Sequence, residues 1–211
     1  MKRALFLDRD GTLVEPRHYP SHPDELVLST AIGPLLRTFA TTGWELIVVT
    51  NQSGIARGLF TMEDLERMHD RLRQLLAVWG VRLTAIYACP HHVDGIIPHL
   101  AIPCTCRKPE PGMLRRAVEE HEIDLSRSWM VGDILDDIEA GNVAGCRTAL
   151  VDLGTERMPE RPERWPRIVG LSTADVLRQI AVAEGLIPMD KRFAPVWPGM
   201  WLSGGRTTAQ V

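Results

Sequence analysis

Two aspartates one residue apart are the first sign of chemistry in this chain of 211 residues. Asp8 and Asp10 stand where an apolar run that ends at Leu7 meets a Gly-Thr turn. Side chains at positions i and i+2 of an extended segment point to the same side, and two carboxylates held together repel unless a cation or a shared proton relieves them. One can then act as a nucleophile and the other as a general acid and base. Taken alone, the pair also fits solvated acids in a turn.

Three further motifs with reactive side chains follow in order. Residues 50–54 read Thr-Asn-Gln-Ser-Gly, and such a turn offers a hydroxyl, amides and backbone N–H groups to an anion. Arg107 and Lys108 supply a planar fork and a point charge, both suited to phosphate oxygens. Asp133 and Asp137 follow a Val-Gly turn, where carboxylates can hold Mg²⁺. Each motif taken singly also fits a polar turn, a solvated basic pair or a helix N-cap, but together they favour a phosphate site.

A second group of candidate metal ligands lies between residues 89 and 106. Three of the four cysteines fall within these 18 residues, beside a pair of histidines. Three thiolates and one imidazole can close a tetrahedral zinc site, and four protein ligands make such a site structural because no position stays open for water. The spacing alone does not choose between His91 and His92. Cys146 lies apart, before a predicted strand, and we expect it in the core.

The elements that must position these residues alternate between strands and helices. Short, almost continuously apolar runs predict buried parallel strands at 4–7, 45–49, 85–88, 129–131 and 148–151. Helical periodicity predicts helices near 32–42, 62–79, 112–121, 135–144 and 173–184. A variant of the capping box, with Asp64 in place of Glu or Gln, marks the start of the second helix at Thr61. This alternation predicts a doubly wound, mostly parallel α/β sheet, whose ligands bind beyond the carboxyl ends of the strands, where each motif falls.

The composition narrows the class of protein further. It is 45% hydrophobic and 24% charged, as in ordinary globular domains, and the net charge of −3 disfavours a nucleic-acid partner. No run of 18 apolar residues predicts a membrane span, and the first residues lead straight into a strand rather than a signal peptide. We therefore expect a cytoplasmic protein, whose cysteines are thiols or metal ligands. Residues 1–184 are expected to form one domain, followed by a tail of unknown role at 185–211.

The order of the four motifs resembles the signature of the haloacid dehalogenase superfamily of phosphohydrolases. The matching residues are Asp8-x-Asp10-Gly11-Thr12, Thr50, Lys108 and Gly132-Asp133-x-x-x-Asp137. The resemblance covers residues 3–153 and implies the Rossmann-like fold of that superfamily. It also implies that Asp8 attacks phosphorus to form an aspartyl-phosphate, and that Asp10 protonates the leaving alcohol and then activates water.

The same resemblance implies how the phosphate and its metal are held. Mg²⁺ would be bound by Asp8, by the main-chain carbonyl of Asp10 and by Asp133. A carboxylate cannot approach a phosphate dianion without a neutralising cation, which agrees with that implication. The remaining matching residues would support the site: Thr50 and Lys108 would hold the phosphoryl oxygens, and Asp137, with Asp136 as the competing candidate, would stand behind the metal ligands.

A narrower resemblance is to the D-glycero-D-manno-heptose-1,7-bisphosphate 7-phosphatase family. The matching segments are 6–12, 50–58, 89–92, 104–112 and 130–133. The resemblance implies small loops in place of a large cap domain, and a substrate that is a small phosphorylated metabolite, here a sugar bisphosphate. It implies that the zinc ligands are Cys89, His91, Cys104 and Cys106. It implies that the substrate side is lined by Asn51, Ser53, Arg57 and Arg107.

Three alternatives stay open at this point. Histidinol-phosphate phosphatase domains share almost all of these motifs, including the zinc loop, and differ in substrate. Phosphoacceptor receiver modules also place clustered acids, a threonine and a lysine on a doubly wound sheet, but they need neither the Asp-x-Asp pair nor a metal loop. A nucleic-acid-end phosphatase of the same superfamily fits poorly, because the chain is not basic and has no P-loop.

Overall fold

A parallel sheet forms the centre of the molecule in a computed structural model that describes residues 1–189. Within that range the sheet has six strands in the order β3-β2-β1-β4-β5-β6, and all neighbours pair in parallel. The strands are β1 Arg3–Leu7, β2 Trp44–Asn51, β3 Ala85–Cys89, β4 Trp129–Gly132, β5 Arg147–Val151 and β6 Ile168–Gly170. The strand order confirms the predicted doubly wound α/β fold, with β1 in the middle of the sheet.

Helices connect the strands and cover both faces of the sheet. They are α1 Ile32–Thr41, α2 Met62–Ala77, α3 Gly112–His121, α4 Leu135–Ala144 and α5 Thr173–Ala183. The capping box predicted at the start of α2 is present: the Thr61 hydroxyl accepts from the Asp64 N–H at 3.1 Å, and the Asp64 carboxylate accepts from the Thr61 N–H at 2.8 Å. A capping box satisfies two of the N–H groups that a helix start leaves free.

The core lies on both sides of the sheet because strand side chains alternate between its faces. Leu5 and Leu7 of β1 pack in a cluster with α1, α2 and α5, while Ala4 and Phe6 pack in a second cluster on the side of α3 and α4. All four side chains are fully buried. Burial on both faces explains why the strand sequence is continuously apolar rather than alternating.

The predicted elements agree with the structure except at one edge. The sequence did not indicate β6, which is only three residues long and follows a long irregular segment. Leu186 and Ile187, in the predicted tail, pack against the first core cluster, whereas Trp197 and Trp201 lie outside the described residues. Along residues 1–189, we find no helix with the length and apolar character that a membrane crossing requires.

The sheet brings three of the sequence motifs to one edge. Asp8 directly follows β1, Thr50 lies near the end of β2, and Asp133 directly follows β4. These three strands are neighbours, because β1 pairs with β2 on one side and with β4 on the other. The backbone N–H of Asp8 also donates to the Val131 carbonyl at 2.9 Å, so the ladder between β1 and β4 extends to this aspartate.

Candidate active site

Lys108 is the buried centre of the carboxylate cluster. Only 2% of this residue is exposed, yet its ammonium lies 2.6 Å from Asp8 Oδ1 and 2.5 Å from Asp137 Oδ1. It also donates to the Val49 carbonyl at 2.8 Å. Burial alone would lower the pKa of Lys108, but the Asp137 and Asp8 carboxylates outweigh burial and raise it. The lysine is therefore a fixed positive charge among acids.

The acids around Lys108 are more numerous than this single cation can neutralise. Burial raises the pKa of Asp8 to about 7 against the opposing effect of Lys108, and the charges of Asp137 and Asp10 add to the rise. Burial, together with the Asp8 and Asp137 charges, raises the pKa of Asp133 to about 8. Near neutral pH, the Asp8 and Asp133 carboxyls are thus each partly protonated unless a further cation keeps them ionised.

The donor set fits a divalent cation that prefers oxygen ligands. Carboxylate oxygens of Asp8, Asp133 and Asp137 lie within 4.8 Å of one another. Four carboxylates in this region, the fourth being Asp10, face two buried cations, Arg9 and Lys108, so the formal charge that remains is −2. A magnesium ion has the opposite charge, and few-carboxylate sites of this kind suit it.

Two glycines allow the carboxylates to come so close to the backbone. Gly11 has φ of +81°, and a Cβ there would collide with the Asp133 carboxylate. A Cβ at Gly132 would collide with Asp137. The hydroxyl of Thr12, in the turn after Asp10, donates to Asp133 Oδ1 at 3.3 Å. These contacts fix Asp133 against the loop that follows β1.

Asp10 is held from behind by two side chains that the sequence analysis did not single out. The Arg9 guanidinium donates to both Asp10 oxygens, with Nη2 2.7 Å from Oδ2 and Nε 3.1 Å from Oδ1. The Gln52 amide donates to Asp10 Oδ2 at 2.9 Å and to the Thr50 hydroxyl at 2.8 Å. About a quarter of the Asp10 side chain, 26%, remains exposed. Arg9 stands next to Asp10 in the sequence, but adjacency alone does not indicate that the arginine is buried.

Asn51 makes a contact that the predicted substrate role does not include. Its side-chain amide donates to the Lys108 carbonyl and its oxygen accepts from the Lys108 N–H, both at 3.0 Å. The end of β2 is thereby joined to the segment that carries the lysine. Asn51 also lines a pocket, so the structure is compatible with the predicted role and adds a positioning contact to it.

An open pocket of about 240 Å³ adjoins Asp10. Its walls come from the turn after β2 and from the loop after β1: Asp10, Arg17, His18, Tyr19, Pro20, Asn51, Gln52 and Ser53. Tyr19 has φ of +48°, and its ring lies edge-on to His18 at 4.5 Å between centroids. The predicted substrate residue Ser53 therefore faces a cavity beside Asp10, opposite a loop that the sequence analysis left without a role.

Arg57 and Arg107 converge on His92, at the junction between the loop after β2 and the cysteine loop. Arg57 Nη2 lies 3.2 Å from His92 Nε2. Burial and the charges of Arg107 and Arg57 lower the pKa of His92. Among residues 1–189, buried Arg57 Nε and Arg107 Nη1 have no hydrogen-bond partner. The two arginines predicted to bind substrate thus form one positive cluster with donor capacity to spare.

The four predicted zinc ligands come together in the structure. The sulfur of Cys106 lies 3.1 Å from Cys89 Sγ and 3.4 Å from Cys104 Sγ, and His91 Nδ1 lies 3.4 Å from Cys106 Sγ. A tetrahedral zinc ion with Zn–S bonds of ~2.3 Å needs sulfurs about 3.8 Å apart, so a small expansion would accommodate it. His91 is in this group and His92 pairs with Arg57, which agrees with the choice that the resemblance implied.

The loop between the two halves of this cluster rests on the turn after β2. The N–H groups of Ile96 and Ile97 both donate to the Ala56 carbonyl, at 2.8 and 3.0 Å. The side chain of Ile96 nevertheless stays 73% exposed. The loop is thus tied by backbone bonds and by the Cys/His group, with little burial of its own apolar side chains.

Comparison with known proteins agrees with this fold. The HAD-hydrolase-like family model matches residues 105–176. The chain is 41% identical over 158 residues to the D-glycero-β-D-manno-heptose-1,7-bisphosphate 7-phosphatase of Escherichia coli (strain K12), covering 74% of this chain and 83% of that one. It is 41% identical over 148 residues to the enzyme of the same name from Yersinia pestis, covering 70% of this chain and 79% of that one.

Solved structures extend the likeness to three dimensions. The D,D-heptose 1,7-bisphosphate phosphatase from B. bronchiseptica, complexed with magnesium and phosphate, superposes with a TM-score of 0.73 at 32% identity, covering 86% of this chain and 99% of that one. Fold and homology together define a phosphatase of the haloacid dehalogenase type. Within that class, the chain belongs to the D-glycero-β-D-manno-heptose-1,7-bisphosphate 7-phosphatase family. A phosphatase family excludes the non-catalytic receiver alternative.

Proposed function

We propose that this phosphatase removes the 7-phosphate of D-glycero-D-manno-heptose 1,7-bisphosphate through an aspartyl-phosphate on Asp8. The observation that carries the proposal is the Lys108 ammonium, buried at 2.6 Å from Asp8 beside two further carboxylates. Such a group keeps a carboxylate oriented toward a phosphate that enters from the carboxyl edge of the sheet. The names of the relatives at 41% identity support the substrate.

In the first step a carboxylate oxygen of Asp8 attacks phosphorus and the bond from phosphorus to the sugar oxygen breaks. The electron pair of that bond goes to the leaving oxygen, which takes a proton from Asp10. In the second step Asp10 accepts a proton from water, which attacks phosphorus and releases Asp8 and inorganic phosphate. Asp10 is suited to both steps because its carboxylate borders the open pocket and its charge acts on Asp8.

Other side chains would stabilise charge or position reacting groups, without forming or breaking covalent bonds. Lys108 and the Thr50 hydroxyl would hold the equatorial phosphoryl oxygens, whose charge must be stabilised in phosphoryl transfer. Mg²⁺ would be held by Asp8, Asp133 and the main-chain carbonyl of Asp10, and when bound it would neutralise the charge between carboxylate and phosphate. Asp137, paired with Lys108 and fully buried, would keep the lysine in place.

A bisphosphate has a second dianion, and the chain offers a basic cluster for it. Arg57 and Arg107 have buried donor atoms left over, and both come from loops at the carboxyl edge. Guanidinium forks make strong charge-assisted bonds to phosphate. The nearby pocket, lined by Asn51 and Ser53, would take the sugar between the two phosphates.

Zinc would be structural in this enzyme. Cys89, His91, Cys104 and Cys106 would supply all four ligands of the ion, which would leave no open position for catalysis. The last ligand is separated from Lys108 by one residue, so the zinc loop would set the position of the phosphate-binding lysine. A cytoplasmic location, where thiols stay reduced, would suit cysteines that bind zinc.

Phosphate release across a small substrate panel tests the proposal. The panel contains both anomers of the heptose bisphosphate, histidinol phosphate and p-nitrophenyl phosphate, each assayed with Mg²⁺ and after its removal by a chelator. We expect the highest kcat/KM with a heptose bisphosphate and no turnover without Mg²⁺. A higher kcat/KM for histidinol phosphate would transfer the assignment to that related activity.

Rapid quenching with ³²P-labelled substrate should place the label on Asp8, and label on a serine or histidine would refute the mechanism.

A further inference from the structure

Arg9 is an arginine with no exposed surface in the middle of the catalytic edge. Its exposed fraction is 0%, although it lies in the loop directly after β1 and beside a solvent-facing pocket. A guanidinium that is taken out of water needs full pairing to offset the loss of hydration. An ion pair between neighbouring residues does not require the arginine to be buried. The complete burial of Arg9 therefore needs a separate explanation.

The pairing of Arg9 is directed at one carboxylate. Nε and Nη2 both donate to Asp10, in the side-on geometry that fixes the plane as well as the distance of a carboxylate. Gln52 adds a third donor to Asp10 Oδ2 from the end of β2. The carboxylate is thus oriented by donors from two elements, while 26% of its side chain faces outward.

His69 of α2 forms part of the wall behind Arg9. Burial lowers the pKa of His69 to about 3, and the charge of Arg9 is the largest additional cause, so the two groups are close and the imidazole is neutral at physiological pH. Arg9 Nη1 and His69 Nε2 are both buried, and neither has a hydrogen-bond partner within residues 1–189. Within residues 1–189, the hydrogen bonds of the Arg9 guanidinium go to Asp10.

We propose that Arg9 is a positioning residue, whose buried guanidinium holds the Asp10 carboxylate in the orientation from which it transfers protons to and from the pocket. The inference rests on the proposed acid–base role of Asp10 and adds a residue through which that role operates. Arg9 would act through its bonds to the Asp10 carboxylate and would contact neither phosphorus nor the leaving oxygen. Displacement of a catalytic group by about 1 Å can lower the rate ~10²-fold, so the loss of this clamp should be measurable.

Two aryl phosphates of similar shape separate a loss of Asp10 orientation from a general loss of active-site structure. A p-nitrophenolate leaves without a proton, whereas p-methylphenolate, with a conjugate acid of pKa about 10, needs one. The measured quantity is kcat/KM, which reports the steps up to aspartyl-phosphate formation and so isolates proton donation to the leaving group. For Arg9→Met we expect a loss with p-methylphenyl phosphate at least ~10-fold larger than with p-nitrophenyl phosphate.

The second arm repeats the measurement in an Asp10→Asn background. If Arg9 acts through Asp10, Arg9→Met should change kcat/KM there by less than ~3-fold, because the two residues act as one unit. Equal losses on both aryl phosphates, or full additivity with Asp10→Asn, would overturn the proposal. If Asp10→Asn alone shows no leaving-group dependence, the acid role of Asp10 fails and the proposed mechanism fails with it.

Controls keep the result interpretable if the buried substitution unfolds the protein. Arg9→Lys keeps the charge but removes the fork, and we expect a smaller shift of the same sign; unchanged selectivity in this variant would also refute the proposal. Arg147→Met is the matched control, because Arg147 pairs with Glu184 at the start of β5, at the opposite edge of the sheet. It should lower the melting temperature without changing the ratio of the two aryl phosphates.

Discussion

The two candidate metal sites of this chain are built in opposite ways. The carboxylate site takes Asp8 and Asp133 from the ends of neighbouring strands, far apart in sequence, with Lys108 paired between acids. The cysteine site takes its ligands from two short segments joined by a loop, and of its four ligands only Cys89 belongs to a strand. The sheet holds the first site together, whereas the second combines one strand residue with two cysteines of a loop that pack against the core.

The difference indicates that a metal would contribute to chemistry at the carboxylate site and to folding at the cysteine site. Strand pairing and core packing fix the carboxylates before any cation binds, at the cost of raised pKa values for Asp8 and Asp133. The cysteine loop has exposed apolar side chains such as Ile96 and is tied mainly by backbone bonds, so ligand bonds to a metal would add to its order. Removal of the metal should therefore stop the reaction at the first site and loosen the structure at the second.

The largest expected effect is on turnover, at the sheet-held site. Asp8→Asn should lower kcat by at least ~10⁴-fold, because the amide is not a nucleophile. Its effect on folding should be small, since strands β1 and β4 position residue 8 through backbone bonds. Steady-state phosphate release and thermal melting measure the two quantities, with Asp24→Asn, an exposed acid outside the cluster, as the control. A variant that lost activity because it had unfolded would contradict the comparison.

At the loop site, substitution of a ligand should change structure and activity together. Cys106→Ser should lower bound zinc well below one ion per chain, lower the melting temperature and reduce activity at least ~10-fold, because metal binding and loop order are linked. Cys146→Ser is the matched control, because Cys146 is buried in the core outside the cluster and should leave the zinc content unchanged. Metal analysis by mass spectrometry checks both, and a zinc-free Cys106→Ser protein with full activity would rule out a structural zinc.

A smaller and more selective effect is expected where the two regions meet. Arg107→Ala should raise KM for the heptose bisphosphate ~10–100-fold, the equivalent of one or two charge-assisted bonds, while KM for p-nitrophenyl phosphate changes little. Arg115→Ala, an exposed arginine of α3, is the control. Equal changes on both substrates would mean that Arg107 serves the transferred phosphate rather than a second one.

The smallest effect is a pH dependence of stability that belongs to the sheet-held region alone. His69 has a pKa of about 3 when folded and about 6.5 when unfolded, so between these values the unfolded chain binds more protons. The contribution of His69 to the free energy of unfolding should fall by up to ~1.4 kcal/mol per pH unit as the pH drops below 6.5, while the raised pKa values of Asp8 and Asp133 act in the opposite direction. Denaturant titrations of zinc-free protein should show that the difference in unfolding free energy between the wild type and His69→Gln changes with pH below 6.5, and a constant difference would refute the assignment.

Features with a local pattern can be predicted from this sequence, whereas contacts that depend on packing cannot. Five strands and five helices follow from apolar runs, helical periodicity and the cap at Thr61, all of which are properties of neighbouring residues. The grouping of Asp8, Lys108 and Asp137 followed from a resemblance, since no spacing rule joins residues a hundred positions apart. The roles of those residues in catalysis stay predictions.

The sequence did not predict the hydrogen bonds by which one side chain orients another residue of the site. Arg9 had no predicted role, and its complete burial beside Asp10 is visible only in the structure. Asn51 was predicted to line the substrate side, and Gln52 was left as a turn residue. In the structure Asn51 bonds to the Lys108 backbone, and Gln52 donates to Asp10. Such roles depend on the distance between elements, which a single sequence does not record.

The strand order has a consequence for the synthesis of the chain on the ribosome. β1 is the first strand made, but its partner β4 begins at Trp129, about 120 residues later, and arrives only after ~6–24 s of elongation at ordinary rates. During that interval one edge of an entirely apolar strand, Ala4–Leu7, has no partner and could pair with another nascent chain. Slow production at low temperature, or a chaperone that binds apolar segments, should therefore improve the yield of folded enzyme.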